Sequence, residues 1–246
     1  MSTLKKSTHK LARKLGYDVV STSYARPSIC GSEAILGSFP PFSDYFAVGR
    51  RENYFIHDRY QAREQNAFYD DTTNSDQWQR EVYQFAREIC DRDALGGVCD
   101  MGCGSAYKLL MYFEDLETVG IDLPATVKYL RKKFPKRIWM DANHKVLPPI
   151  ATQMVIASDV VEHLSNPDHL LAYIGEIKPV KIVLSTPDRN LLRRGTHNGP
   201  PGNPAHVREW SFAEFYVYVK HFFEIEEHFI SSAAQGTQCV LCRPRS

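Results

Sequence analysis

The run Gly97-Val98-Cys99-Asp100-Met101-Gly102-Cys103-Gly104-Ser105-Ala106-Tyr107-Lys108-Leu109 constrains this chain more than any other segment. It reads as a short buried strand, a glycine turn and the start of a helix, which is the local arrangement of a nucleotide-type cofactor site. Gly102 and Gly104 would take backbone angles closed to other residues and let a ligand lie against the main chain. The helix that follows would aim its free N–H groups at that ligand.

Which cofactor fits depends on the neighbours. Counting on from Gly104 puts bulky Tyr107 at the third small position of a dinucleotide fingerprint, where a pyrophosphate must approach, so nicotinamide and flavin cofactors are disfavoured. Asp100 would also repel a pyrophosphate, yet it suits a cofactor with a cationic amino-acid end, as S-adenosylmethionine has. Asp122 closes the apolar run Thr118-Val119-Gly120-Ile121 about twenty residues on, where a carboxylate accepts both ribose hydroxyls. Asp141 follows a further strand-like run, Ile138-Trp139-Met140, and would take the adenine amino group. Three acids at three successive strand ends form one joint signal.

On these residues the chain, from about Asp76 to the C-terminus, resembles the class I S-adenosylmethionine-dependent methyltransferases. Asp-Met-Gly-Cys-Gly-Ser-Ala at 100–106 resembles the family's glycine motif, and Gly-Ile-Asp at 120–122 its ribose motif. Ser158-Asp159-Val160-Val161-Glu162-His163-Leu164 resembles its segment after the fourth strand. Ala106 stands where the family usually has glycine. The resemblance implies a donor site made by Asp100, Gly102, Gly104, Asp122, Leu123, Asp141, Ala142 and Ser158.

A chain of 246 residues with 43% hydrophobic content buries one substantial core and is short for two full domains of this class. The 30 Lys and Arg against 29 Asp and Glu leave a net charge of +1, so no global field draws the protein to a long nucleic acid. No apolar run approaches the roughly 20 residues of a membrane span, and the start Met1-Ser2-Thr3-Leu4-Lys5-Lys6 has no apolar signal core. The expectation is a soluble, cytoplasmic protein of open oligomeric state, without a membrane partner. Six cysteines, at 30, 90, 99, 103, 239 and 242, mostly occupy apolar patterns and read as reduced buried thiols. Cys239-Val240-Leu241-Cys242 spells C-x-x-C, but it has no second pair to complete a zinc site.

Along the chain, Lys5 to Leu15 would form a basic amphipathic helix whose charges are a solvated face. Residues 1–75 are read as an irregular and helical lid and substrate wall, rich in aromatic residues including Tyr54, Tyr60 and Phe68. Covering a sheet edge is the equal alternative for those rings. Residues 76–246 would be the catalytic domain. A helix over 76–91 leads in, followed by strands near 98–101, 118–121, 138–140, 153–157, 181–185, 223–230 and 238–243. Helices near 107–115, 125–134, 166–176 and 211–221 alternate with them. The fold expected is α/β, a Rossmann-like seven-stranded and mostly parallel sheet with helices on both faces. The connection 231–236 is too short for a crossover helix, so the last two strands should form an antiparallel hairpin.

A second constellation lies beside the donor. If a helix begins after the fourth strand, offsets of three and four place Asp159, Glu162 and His163 on one side. Downstream, residues 196–210 form a Gly/Pro-rich loop carrying Asn203-Pro204-Ala205-His206 and Glu209-Trp210 ahead of a helix, and long loops in compact domains are usually functional. The pairing resembles the small-RNA 3′-terminal 2′-O-methyltransferases, where an acid-x-x-Glu-His segment and a later histidine hold a divalent metal such as Mg, Mn or Zn. That resemblance implies Asp159, Glu162, His163 and His206 as ligands, with Asp159 replacing the longer first Glu. The loop also resembles one that closes over the acceptor in small-molecule and sugar O-methyltransferases. A metal site, a metal-free histidine base and a structural cap made by His163 all remain open. Arg189, Arg193 and Arg194 are read either as an anchor for an acceptor phosphate or carboxylate or as an exposed cluster.

An aliphatic hydroxyl, with a pKa near the 15.7 of water, needs a metal or a base to react at neutral pH, whereas an amine already offers a lone pair. Two histidines and two carboxylates beside the donor therefore favour an oxygen acceptor on a small polar metabolite, sugar or nucleotide-sugar. N-methylation of a small amine, and a noncatalytic subunit that merely binds S-adenosylmethionine, are the alternatives.

Overall fold

A computed structural model of the chain describes residues 48–143, 146–193 and 197–245. The basic helix expected over 5–15, residues 16–47 of the N-terminal wall, Cys30, Arg194 and Thr196 lie outside the described residues.

Seven strands form one sheet: β1 Gly97–Met101, β2 Glu117–Asp122, β3 Ile138–Asp141, β4 Met154–Ser158, β5 Lys181–Pro187, β6 Phe223–Ser232 and β7 Thr237–Pro244. Their order is β3-β2-β1-β4-β5-β7-β6. The first five pair in parallel, and β7 inserts antiparallel between β5 and β6. This is the expected mixed sheet with its terminal hairpin. β1 and β4 are buried along their whole length, as parallel strands covered on both faces must be.

The helices are α1 Arg80–Asp93, α2 Tyr107–Tyr112, α3 Pro124–Lys133, α4 Asp168–Ile177, α5 Arg189–Arg193 and α6 Phe212–Phe222. One core joins Cys99, Val119, Val155, Ile182 and Val240 to Leu171 and Ile174 of α4 and Phe215 and Tyr218 of α6. The other joins Val98, Ile156, Val183 and Leu241 to Val82, Phe85 and Ile89 of α1, with Leu109, Val127 and Leu130 from α2 and α3. Alternate residues of each strand feed opposite layers, so Cys239 and Cys242 fall into different cores. They cannot grip one ion. The five described cysteines are buried and form no disulfide with one another.

Two helix boundaries differ from the sequence reading by more than two residues, and the short α5 is absent from that reading. α1 starts at Arg80 rather than 76 because Gln79 sits in the left-handed region at φ 59, which leaves Trp78 exposed. α2 ends at Tyr112, three residues early. α6 starts as expected, at a capping box in which Ser211 and Glu214 bond each other's backbone N–H.

Strand order reverses between β1 and β4, the place where open α/β sheets leave a crevice at the C-terminal ends of their strands. The glycine turn sits there. Gly102 has φ 72, and a Cβ on it would stand 2.7 Å from Val160 Cγ2. Ala106 also adopts a left-handed conformation, φ 58, which costs a residue with a Cβ about 1–2 kcal/mol. Its buried methyl returns about 0.8 kcal/mol. Ala106→Gly is therefore expected to leave the fold intact and raise stability by up to about 1 kcal/mol. A lowered melting temperature would show that the methyl contact outweighs the strain.

Candidate active site

Asp122 organises the glycine turn. Its carboxylate accepts from the backbone N–H of Gly104 at 2.8 Å and of Leu123 at 2.7 Å, which ties the end of β2 to the turn and to the start of α3. Asp141 closes the neighbouring strand and accepts from Asn143 N, while Ala142 N donates to the Asp122 carbonyl. Asp122 and Asp141 thus end adjacent strands side by side, while Asp100 lies one residue before the end of β1, level with Gly120. Asp100 is fully buried, and both its oxygens accept from the Tyr83 hydroxyl, at 3.1 and 3.0 Å. Burial raises its pKa to about 7, against the lowering effects of the Tyr83 bond and Lys108. The Lys108 ammonium lies 5.3 Å from the Tyr83 ring centre, buried with them. Ser158 faces along the sheet instead, its hydroxyl 2.9 Å from Ser185 Oγ.

Beside β4, residues Val161–His163 form a single 3₁₀ turn, and Asp159 has φ 53. The α-helical spacing expected for Asp159, Glu162 and His163 is therefore absent. What gathers the site is a tertiary contact: Val207 N donates to the Glu162 carbonyl, and the His163 ring lies against the Ala205 carbonyl. Glu162, His163 and His206 then each offer one ligand atom within 4.8 Å of the others. Asp159, the fourth expected ligand, stands outside this group of three. Its carboxylate accepts from Ser185 Oγ at 2.6 Å and Gln79 Nε2 at 3.1 Å.

The hydrogen bonds define the imidazole tautomers. A carbonyl only accepts, so His163 Nδ1, 3.0 Å from Ala205 O, carries its proton and Nε2 keeps a lone pair. Burial, then His206, lowers its pKa to about 4, so the ring is neutral. His206 Nδ1 is 2.8 Å from Glu209 Oε1, and its Nε2 accepts from Asn203 Nδ2 at 3.0 Å. Glu162 is fully buried; Oε2 accepts from Thr186 Oγ1 at 3.0 Å, and Oε1 has no hydrogen-bond partner. Burial, then Asp159, pushes its pKa well above the usual carboxylate range.

No protein-family model matches this sequence, and neither does any curated protein. Solved structures do match. The chain aligns with the methyltransferase domain of bacterial CtHen1 at TM-score 0.50 and 17% identity, covering 67% of this chain and 98% of that one. It aligns with the mitomycin 7-O-methyltransferase MmcR at TM-score 0.50 and 14% identity, over 68% of this chain and 53% of that one. This is the Rossmann-like methyltransferase fold. The [4+2]-cyclase SpnF is also similar, with TM-score 0.52 and 14% identity over 75% of this chain and 87% of that one. Its name shows that the methyltransferase fold carries other chemistry as well, so function has to be argued from the site.

Several residues of that site carry no sequence signal. Residues 61–67 run beside the late loop, with Gln61 N bonded to Asn198 O, Arg63 N to Val207 O and Ala67 N to Pro204 O. Asn66 Nδ2 donates to the carbonyls of His163 and Ala205, and Tyr69 stacks on His163 with ring centres 6.1 Å apart. Tyr60 packs against the sheet, as its alternative reading has it. It is buried in the core, and its hydroxyl accepts from Glu209 N. Tyr54 packs edge-on against Tyr218 and beneath Arg208, 4.3 Å from that guanidinium. Arg189 is not an exposed cation: it is buried and paired with Glu214 at 2.8 Å.

Proposed function

We propose that this protein is an S-adenosylmethionine-dependent methyltransferase that methylates a hydroxyl, with a divalent cation held by Glu162, His163 and His206. The observation that carries the acceptor half is the buried, unpartnered Glu162 Oε1 beside two histidines whose Nδ1 atoms are already engaged. An orphaned buried carboxylate oxygen is costly, and a cation relieves it. Imidazoles whose second nitrogen bonds a carbonyl and a carboxylate have the usual outer arrangement of metal-binding histidines. One carboxylate and two imidazoles suit Mn²⁺ or Zn²⁺ better than Mg²⁺. Bound there, such a cation supplies Lewis acidity to the acceptor oxygen.

The chain's own residues do the rest. Asp122 and Asp141 hold the nucleoside end of the donor at the β2 and β3 ends, and the glycine turn keeps its sulfur side close to the main chain. Glu209 fixes the His206 ring, and Asn203 holds the lone pair that the cation would take over. Ser185 and Gln79 hold the Asp159 carboxylate at the β4 end, where its charge acts on both Glu162 and His206. Tyr69 stacks over the partly buried His163 ring from the solvent side. The near-zero net charge supports a small polar acceptor such as a sugar or nucleotide-sugar over a long polyanion.

Calorimetry with S-adenosylhomocysteine tests the donor half. Wild type should bind it, and Asp122→Ala should weaken it by roughly tenfold to several hundredfold, the scale of lost charge-assisted hydrogen bonds. Absence of binding, or tight NAD binding, removes the reading. Methyl transfer indifferent to chelator removes the cation and returns the acceptor to a metal-free base or an amine.

A further inference from the structure

Asp100 is the acid expected to meet the donor's amino-acid end, yet its carboxylate is buried under Tyr83. A different acid occupies the open side of the glycine turn. Gly104 has φ 51, and a Cβ built on it would lie 1.9 Å from Oδ2 and 2.7 Å from Oδ1 of Asp71. The carboxylate of a residue more than thirty positions upstream is thus laid against bare backbone at the spot a glycine keeps open for a ligand.

We propose that Asp71 is a donor-binding residue, its carboxylate receiving the α-ammonium group of S-adenosylmethionine against Gly104. This rests on the donor reading above and adds a residue to it. The segment that carries Asp71 is anchored on both sides of the crevice. Ser105 Oγ donates to Asn74 O at 2.6 Å, Lys108 Nζ to Ser75 O at 3.4 Å, and Gln79 Nε2 to Asp159. Gln79 N and Gln77 O also bond the Gln235 side chain in the β6–β7 turn. Just upstream, Asn66 and Tyr69 rest on His163. One short stretch therefore reaches from the acceptor histidine to the glycine turn. Burial, then Asp122, raises the Asp71 pKa to about 6, against the lowering effect of the nearby Lys108 ammonium.

The contribution of the amino-acid end is isolated by comparing S-adenosylhomocysteine with 5′-methylthioadenosine, which keeps adenosine and thioether but lacks the ammonium. Both are titrated calorimetrically into wild type, Asp71→Asn, Asp71→Ala and Asp122→Ala. Asp71→Asn keeps the side chain's shape, and its thermal melt is read alongside. The expected result is about a tenfold or larger loss of S-adenosylhomocysteine affinity in both Asp71 variants, with 5′-methylthioadenosine unchanged within about twofold. Asp122→Ala should weaken both ligands, because the ribose is common to them. If wild type binds S-adenosylhomocysteine and Asp71→Asn binds it equally well, the assignment of Asp71 is overturned while the donor reading stands. Tighter binding by the Asp71 variants would likewise overturn it, marking Asp71 as an occluding group. A wild type that binds neither ligand removes the donor reading and this assignment together.

Discussion

Replacing His163 by alanine is expected to lower methyl transfer at saturating donor by about 10²–10⁴-fold while S-adenosylhomocysteine affinity stays within about twofold of wild type. His163 and His206 reach one point from segments more than forty positions apart, with ring centres 4.8 Å apart. Neither touches Asp122 or the glycine turn by any hydrogen bond among the described residues, so the loss should fall on turnover and spare the donor. His206→Ala and Glu162→Gln should behave alike. The double histidine variant should be little worse than the worse single one, because groups that act as one unit are not additive. Glu162→Gln keeps the acceptor oxygen for Thr186 while removing the charge that a cation needs. Chelation should abolish wild-type activity, and Mn²⁺ or Zn²⁺ should restore it to wild type and not to the variants. Single-turnover kinetics with and without added metal provide the measurement. Full activity in both single histidine variants would reduce the cluster to a cap on the β4 end.

Glu214→Ala should cost about 3–5 kcal/mol of folding free energy, the scale of leaving a buried charge without its partner. Glu214 is fully buried, and its two oxygens tie together three segments distant in the chain. Oε1 accepts from His57 N at 3.0 Å; Oε2 accepts from Ser211 N at 2.8 Å and pairs with Arg189 at the same distance. Arg189 also donates to Glu209 O and lies 5.0 Å above the Tyr60 ring. Arg189→Met should therefore destabilise by a similar amount, and the double variant by far less than the sum. Urea denaturation of the three variants measures both effects. If Arg189 instead anchored an acceptor anion, Arg189→Met would raise KM with stability unchanged.

These two regions are unequally legible in the amino-acid sequence. The pair Glu162-His163 and the later His206 are visible as chemistry, because buried-looking histidines and carboxylates near a glycine turn are few. Helical spacing puts Asp159 into the same group. The chain instead makes one 3₁₀ turn with Asp159 in a left-handed conformation, and a single residue's φ is enough to redirect a side chain. Arg189 misleads for a related reason. An arginine after a strand end is ordinarily exposed, and nothing within a few residues of it announces that Glu214, twenty-five positions on, will bury it.

Short-range physics accounts for the features that the chain encodes on its own. The glycine turn, the acids at or next to the ends of β1, β2 and β3, the alternation of apolar strand and amphipathic helix, and the Ser211–Glu214 capping box all act within one turn or one strand. Each lies at nearly the place its local pattern predicts. The short 231–236 connection dictates the antiparallel hairpin for the same reason. Tertiary packing alone selects which acid lies on the open side of the glycine turn and which of the four candidate ligands converge. Asp71 reaches Gly104, and residues 61–67 brace the 197–210 loop, through contacts separated by tens to more than a hundred residues. Such contacts depend on how two irregular segments pack against the finished sheet. Irregular backbone has no period to read, so its partners become known only when the fold brings them together.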